Sequence, residues 1–320
     1  MKRPTAGLVR TGLLLAGLAA LCTAGAVVLG WRMTGPATAR PLGEHETVTL
    51  TAAGASYFSP VRLTEVTGAA LTETETITAV TGAGYPAVAV WDVHQAVYDA
   101  TSHVQLEPES RTVAFDRSTA ELVNCCDGNV NGDGLVWQDG IAGYAFPVGT
   151  RKQTYAVFDT VLGKSAPLAY SGTGTVGGIT AYQFTEDVTA ARAGFSALSA
   201  TDPQSYSVHR VYWVDPVTGS LLKVSENEDL ALAKPAGGTR TLFHADLAAT
   251  PDTVQRLVGQ DIRERNQIGL MSNGRLALFV LASGFALLAA CLLAARVLAA
   301  RLPATGPTRR RRLPGPADGQ

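Results

Sequence analysis

Asp127-Gly128-Asn129-Val130-Asn131-Gly132-Asp133-Gly134 puts oxygen-bearing side chains at alternate positions, the spacing that a calcium loop uses. Counted from Asp127, positions 1, 3 and 5 and the glycine at 6 fit, but position 12 is Gln138 where a bidentate Glu is needed. Counted from Asn129, position 12 is Gly140, and Asp139 comes one residue early. Neither register closes the shell with an acid, so an exposed Asx-rich turn is the expectation. Gly172-x-Gly174-x-x-Gly177 has the spacing of a dinucleotide fingerprint, which works only between a strand and a helix. The following Gly178-Ile179-Thr180-Ala181-Tyr182-Gln183-Phe184 has a strand pattern, so a glycine-rich hairpin is expected and no cofactor.

Cys125 and Cys126 are adjacent, while Cys22 and Cys291 fall in long apolar segments. Outside the cytoplasm the adjacent pair is expected to be oxidised, closing a disulfide on itself or pairing between chains. His45, His94, His103, His209 and His244 are scattered and no CxxC occurs, which gives no metal site. No G-x-S-x-G or HExxH is present either. Asp92, Asp116, Asp159 and Asp215 each sit beside an aromatic residue or a turn, where carboxylates cap turns or pair with cations such as Arg117 and Lys152. No catalytic residue stands out, and the chain does not read as an enzyme.

The elements that must position these residues follow from charge and hydropathy. The chain has 26 Lys+Arg and 27 Asp+Glu, yet charged residues make up only 17% of it, against about a quarter in an ordinary soluble domain. Nine of the basic residues lie at the two ends, and residues 32–275 carry 17 basic against 26 acidic. An acidic middle argues against nucleic acid as a partner, since phosphate binding needs a basic face. Thr11 to Trp31 and Leu276 to Ala295 are free of charge, and each is long enough as a helix to cross the ~30 Å hydrocarbon core. The first runs past the length of a signal-peptide core, and Leu21 before Cys22 is too large for lipoprotein processing, so an uncleaved anchor is expected. Lys/Arg bias places both ends in the cytoplasm. The expected layout is a cytoplasmic N-terminus (1–10), a span (11–31), an extracytoplasmic domain (32–275), a second span (276–295) and a basic cytoplasmic tail (296–320). Leu302-Pro303-Ala304-Thr305-Gly306 spells a sortase signal but follows the span, on the wrong side for wall attachment.

Residues 44–250 are dense in Thr, Val, Tyr and Gly with frequent turn signals. Thr47 to Thr51, Ser110 to Phe115, Tyr155 to Phe158 and Val208 to Val214 alternate with period two, and Leu71 to Val80 does so less strictly. Such alternation predicts antiparallel strands with one dry face. Hairpins are expected from Val211 to Val224, around Asp215-Pro216-Val217-Thr218-Gly219, and from Leu168 through Gly177-Gly178 to Phe184. Asp187 to Leu198, rich in Ala, is expected to be a short helix. Thr250-Pro251-Asp252 should start another, with Val254, Leu257, Val258 and Ile262 on its apolar face. The fold class is α+β: a mainly antiparallel sheet, read as a curved half-barrel, between two transmembrane helices.

Several segments together are similar to a membrane family of mycolate-type actinobacteria described as porin PorA-like. They are GASYFSP (Gly54 to Pro60), AVWDV (Ala89 to Val93), VAFDR (Val113 to Arg117), NCCD (Asn124 to Asp127) and YAFPVGTRKQTYAVFD (Tyr144 to Asp159). The resemblance covers most of the chain and implies a domain between two terminal spans. A thinner likeness lies in Tyr212-Trp213-Val214-Asp215-Pro216-Val217-Thr218-Gly219, which resembles the WVDPxTG hairpin of half-barrel lipoprotein carriers and sensors of the LolA, LppX and RseB type. Those curl a sheet around an apolar cavity for acyl chains. The expectation is a multi-pass plasma-membrane protein whose outer domain binds or shuttles a hydrophobic envelope component, an envelope lipid in the first place. Trp91, Tyr144, Phe146, Tyr155, Phe158 and Trp213 are the candidate lining of the site. The alternative is a structural or porin-associated envelope protein that acts through a homo-oligomer or an envelope protein partner.

Overall fold

The apolar segments and the alternating ones separate into two compact units, Met1–Gly30 with Ser272–Gln320, and Trp31–Met271. The computed structural model describes residues 5–34, 45–59, 61–193, 204–234 and 238–301. The sortase-like pentapeptide and the rest of the basic tail from residue 302 on lie outside the described residues.

The first unit is an antiparallel pair made by α1 (Thr5–Thr34) and the C-terminal part of α2 (Pro251–Arg301). Both helices are long and apolar enough to cross a membrane. Small residues form their seam: Ala19 and Ala26 on α1 and Ala282 and Ala289 on α2 are buried. In each helix the two alanines stand seven residues apart, the spacing that keeps one stripe facing a partner. A β-carbon added at Gly25 would stand 3.3 Å from Leu278, so the glycine sets the closeness of the helices. Large side chains such as Leu13, Leu21, Leu276 and Leu287 point outward and are exposed, as a lipid-facing surface requires.

The second unit is a single antiparallel sheet. Its strands are β1 (His45–Ser59), β2 (Thr64–Ala79), β3 (Val88–Asp99), β4 (Gln105–Asp116), β5 (Asn129–Val130), β6 (Tyr155–Asp159), β7 (Lys164–Val176), β8 (Ile179–Arg192), β9 (Gln204–Val214), β10 (Leu221–Ala233) and β11 (Thr239–Ala249). They are ordered β5-β4-β3-β2-β1-β11-β10-β9-β8-β7-β6 and curl into a half-barrel. Every strand from β1 to β4 and from β6 to β11 pairs with its sequence neighbour, and β1 joins β11, so two meanders meet at one seam. The long segment between β4 and β6 links the two ends of the sheet. Phe115 bridges Leu122, Glu121 bridges Ile141, and Ile141 bridges Val157 of β6 in parallel. Part of the backbone at each edge is thereby paired, which shortens the template for edge-to-edge aggregation.

Both expected hairpins form. Val176 pairs with Ile179 across Gly177-Gly178, whose φ angles of 55° and 84° are what a two-residue turn of the primed type needs. The expected helix over Asp187 to Leu198 is not realised: Asp187 to Arg192 finishes β8, and residues 194–198 lie outside the described residues. Registered pairing of Asp187 with His209 and Val188 with Val208 outweighs the mild helix preference of alanine. The helix beginning at Pro251 does form, with the Thr250 hydroxyl accepting the Thr253 amide at 3.2 Å, and continues without a break into the second span. Leu257 and Val258 are buried on its inner face, but Ile262 is 45% exposed, and Asp261 takes the inward position.

The main core lies on the concave face, and a smaller cluster of Val176, Ile179, Ala181 and Leu222 packs against Val258 of α2 on the other. Trp91 and Phe115 meet edge-on with centroids 4.4 Å apart. Phe146 stacks on Phe184 at 5.3 Å, with Tyr155 and Tyr212 edge-on around it. Full burial of each such ring is worth about 1.5–3 kcal/mol.

Candidate functional site

In Leu71-Thr72-Glu73-Thr74-Glu75-Thr76-Ile77 of β2 the glutamates share strand parity with Leu71 and Ile77, so they face the core while the threonines face outward. The same parity recurs on three other strands. Val224, Glu226, Glu228 and Leu230 share the inner face of β10, Phe184 and Glu186 that of β8, and Tyr206, Val208, Arg210 and Tyr212 that of β9. Glu73 is 6% exposed, and Glu186 is fully buried.

Register brings these groups together. Glu186 on β8 pairs with Arg210 on β9, which pairs with Glu226 on β10. Arg210 Nη1 donates to Glu186 Oε2 at 2.8 Å, and its Nε donates to Glu226. Asp159 at the end of β6 stands 3.6 Å from the same guanidinium and accepts the Tyr206 hydroxyl at 2.9 Å. One guanidinium thus serves three carboxylates. Across the concave face, Glu75 of β2, Gln95 of β3 and Glu109 of β4 lie in consecutive register. Arg111, over the Tyr144 ring at 4.7 Å, has Nε and Nη1 buried without a hydrogen-bond partner.

These charges surround a cavity of about 520 Å³ on the concave side, with a smaller space of about 70 Å³ beside it. The two share Glu73, Gln95, Thr160 and Arg210. The larger is half apolar: Val97, Leu106, Pro108, Val161, Leu230 and Phe243 supply one part of its wall, and Glu73, Glu109 and Glu228 another. Its volume is in the range of small-molecule sites. Burial, and then the neighbouring Glu226, drive the Glu73 carboxyl well above the usual carboxylate range. Burial likewise pushes Glu75 up to about 7 against the pull of Arg111, and Glu186 up to about 7 against that of Arg210. Glu109 is raised by burial as well.

The aromatic residues singled out from the sequence are distributed over the unit rather than gathered in this cavity. Trp91, Phe146 and Phe158 are core, and Tyr155 packs beside Phe146. Phe158 and Tyr144 reach the wall of the smaller space. Trp91 and Tyr144 also line a second cavity of about 270 Å³, beside Leu257 and Asp261 of α2. Trp213 lies on the other face of the sheet, half-buried against Leu222 and Val258 and under the Lys223 ammonium at 4.5 Å, where it lines a separate open space of about 650 Å³. The sequence reading missed Glu73, Glu75, Glu109, Arg210, Glu226 and Glu228. Their shared parity with large apolar neighbours was the signal that could have found them.

The remaining motifs do structural work. Asn129 Oδ1 accepts the Gly132 amide at 3.1 Å, and Asp133 Oδ1 accepts that of Leu135 at 2.9 Å, two Asx turns. Cys125 and Cys126 are joined as a vicinal disulfide within the chain, followed by left-handed backbone at Cys126 and Asp127. Asp116 caps the turn after β4 through the Ser118 and Thr119 amides. The cations that serve Asp159 and Asp215 are Arg210 and Arg265, where Arg117 and Lys152 were expected. Arg117 Nη1 instead donates to the Pro86 carbonyl, and Lys152 sits over the Tyr170 and Tyr182 rings.

Fold and site together define a protein with two helices long and apolar enough to cross a membrane and a half-barrel domain whose concave face bears ionisable groups. The chain belongs to the family described as Porin PorA, whose model matches residues 11–293. None of the curated proteins compared with the chain matches it.

Proposed function

We propose that this is a two-span envelope protein whose domain, residues 32–275, lies outside the cytoplasm and binds an amphipathic envelope component, without catalysing a reaction on it. The observation that carries the reading is the cavity of about 520 Å³ with apolar and carboxylate-bearing walls. An acyl segment against Val97, Leu106, Leu230 and Phe243 leaves water at about 0.8 kcal/mol per methylene, while its polar end meets Glu73 and Glu109. The orientation rests on basic residues at both ends of an otherwise acidic chain and on the antiparallel helix pair. The test is mass spectrometry of the lipid released from the purified full-length protein. An amphiphile retained by the wild type and lost when Leu230 and Phe243 are both changed to Asp supports binding. Protein that carries only the bulk lipid mixture, in both forms, overturns it.

The family's name favours a second reading, a channel or channel-associated protein. A barrel that conducts through a membrane needs an outward apolar band. Here the outward positions include Thr72, Thr74, Thr76, His94, Asp187, His209, Asn227 and Asp246, so conduction would have to run between helices of several copies. Stable conductance steps from purified protein in planar bilayers would favour this reading, and a monomer without them would remove it.

A further inference from the structure

Resting on the binding reading above, we infer that the ligand presents a cationic, amine-type head to the concave cavity, and that Glu73 is the residue that receives it. The two adjacent spaces are lined by Glu73, Glu75, Glu109, Asp159, Glu226 and Glu228, and Glu186 pairs with Arg210. Against these carboxylates the described lining residues offer two cations, Arg111 and Arg210. Arg210 is already committed to Glu186, Glu226 and Asp159. Glu73 is different from its neighbours: it is 94% removed from solvent, borders both spaces, and makes no hydrogen bond or ion pair with the described protein.

A carboxyl buried in this way without a partner keeps its proton, and its ionised form becomes favourable only when a positive donor reaches it. An amine head supplies both the charge and the donors that let a buried carboxyl give up its proton, whereas an anionic head would oppose that ionisation and finds both lining guanidiniums beside acids already. Among the described residues no three His, Cys, Asp or Glu side chains converge closely enough to hold a metal ion. The diffuse arrangement of acids therefore suits an organic cation with several N–H donors better than a metal. The apolar wall at Leu106, Pro108, Leu230 and Phe243 then takes the alkyl part of the same molecule.

Three probes with one tail separate charge from burial. Octylammonium, octanol and octanoate are titrated into the full chain in phosphatidylcholine nanodiscs at pH 7.5, with empty nanodiscs subtracted. Octylammonium is expected to bind at least about tenfold tighter than octanol, the scale of one charge-assisted hydrogen bond, and octanoate not to bind. Glu73→Gln should weaken octylammonium about tenfold and leave octanol unchanged. If that variant unfolds, Glu109→Gln is measured in its place, with the same expectation at smaller size. Equal binding of octylammonium and octanol overturns the amine head while leaving the cavity reading intact. No binding of any of the three overturns both.

Discussion

Arg265 of α2 reaches across to the turn between β9 and β10 and clamps Asp215: its Nη2 donates to Asp215 Oδ1 at 2.9 Å and its Nε donates to Oδ2. Asp215 is fully buried and also accepts the Val217 amide at 2.8 Å, so one carboxylate organises the turn and docks the helix. Asp261, one turn earlier on α2, accepts the Thr218 hydroxyl. Burial and the neighbouring Asp215 raise Asp261 to about 7, while the Arg265, Asp261 and Val217 hydrogen bonds hold Asp215 below the usual range. Near neutral pH the pair therefore favours one carboxylate, at Asp215, and one proton, at Asp261.

Removing the two acids should have unequal effects. Asp215→Ala strands Arg265 and the Val217 amide and should cost about 2–3 kcal/mol, with half-exposed Arg265 partly rescued by water. Asp261→Asn keeps a neutral group at the position and should cost less than about 1 kcal/mol at pH 6. Thermal unfolding of the full-length protein in nanodiscs reads both, and equal losses would contradict the assignment of the proton.

Gly219 closes the same turn at φ 74°, and a β-carbon there would stand 2.3 Å from the Phe146 carbonyl oxygen. Both the left-handed backbone and the backbone contact oppose a side chain, so Gly219→Ala should destabilise by more than about 2 kcal/mol. Denaturant titration checks this, with Gly149→Ala as the comparison, since Gly149 shares the φ but has open space around it.

Arg210 holds three carboxylates, and its loss leaves them facing one another. Arg210→Ala should cost about 3–5 kcal/mol at pH 7.5, the scale for breaking a buried ion pair. Lowering the pH to 5.5 should recover part of the loss, because protonation neutralises the acids left behind. Unfolding midpoints of variant and wild type at the two pH values measure the recovery, and no recovery would indicate that packing alone was lost.

The wild type should be more stable in mild acid than at neutrality. Glu75 and Glu186 titrate near 7 in the folded chain against an ordinary 4.5, so between those values the folded state holds protons that the unfolded state has released. Stability must then fall as pH rises through that window, by at most about 1.4 kcal/mol per pH unit for each group. Above about 7 the contribution levels off. Glu75→Gln should flatten the slope between pH 5 and 7, as followed by thermal unfolding in steps of half a unit.

Trp137 is 72% exposed and Leu135 94%, on the loop that follows the vicinal disulfide. With Cys125 and Cys126 joined, a cysteine introduced as Trp137→Cys is the accessible thiol of the domain. A membrane-impermeant maleimide should label it in intact cells without permeabilisation. Labelling only after lysis would place the domain on the cytoplasmic side and remove the proposed orientation.

Hydropathy and strand parity made the two long helices and most strands legible, because 20 uncharged residues and period-two alternation each leave few folded alternatives. The hairpins at Gly177-Gly178 and at Asp215 to Gly219 were legible for the same local reason, since glycine at positive φ and a capping carboxylate work over a few residues. The segment from Asp187 to Arg192 misled, because its alanines speak for a helix while its partner strand lies about 20 residues away. The charged cavity stayed hidden for a related reason. The sequence by itself determined which side of each strand Glu73, Glu186, Arg210 and Glu226 occupy, through parity with apolar neighbours. Only the tertiary structure decided that those sides meet. Pairing of β1 with β11, some 200 residues apart, sets the register that brings β2 and β10 around one concave space, and no local preference encodes a contact of that length.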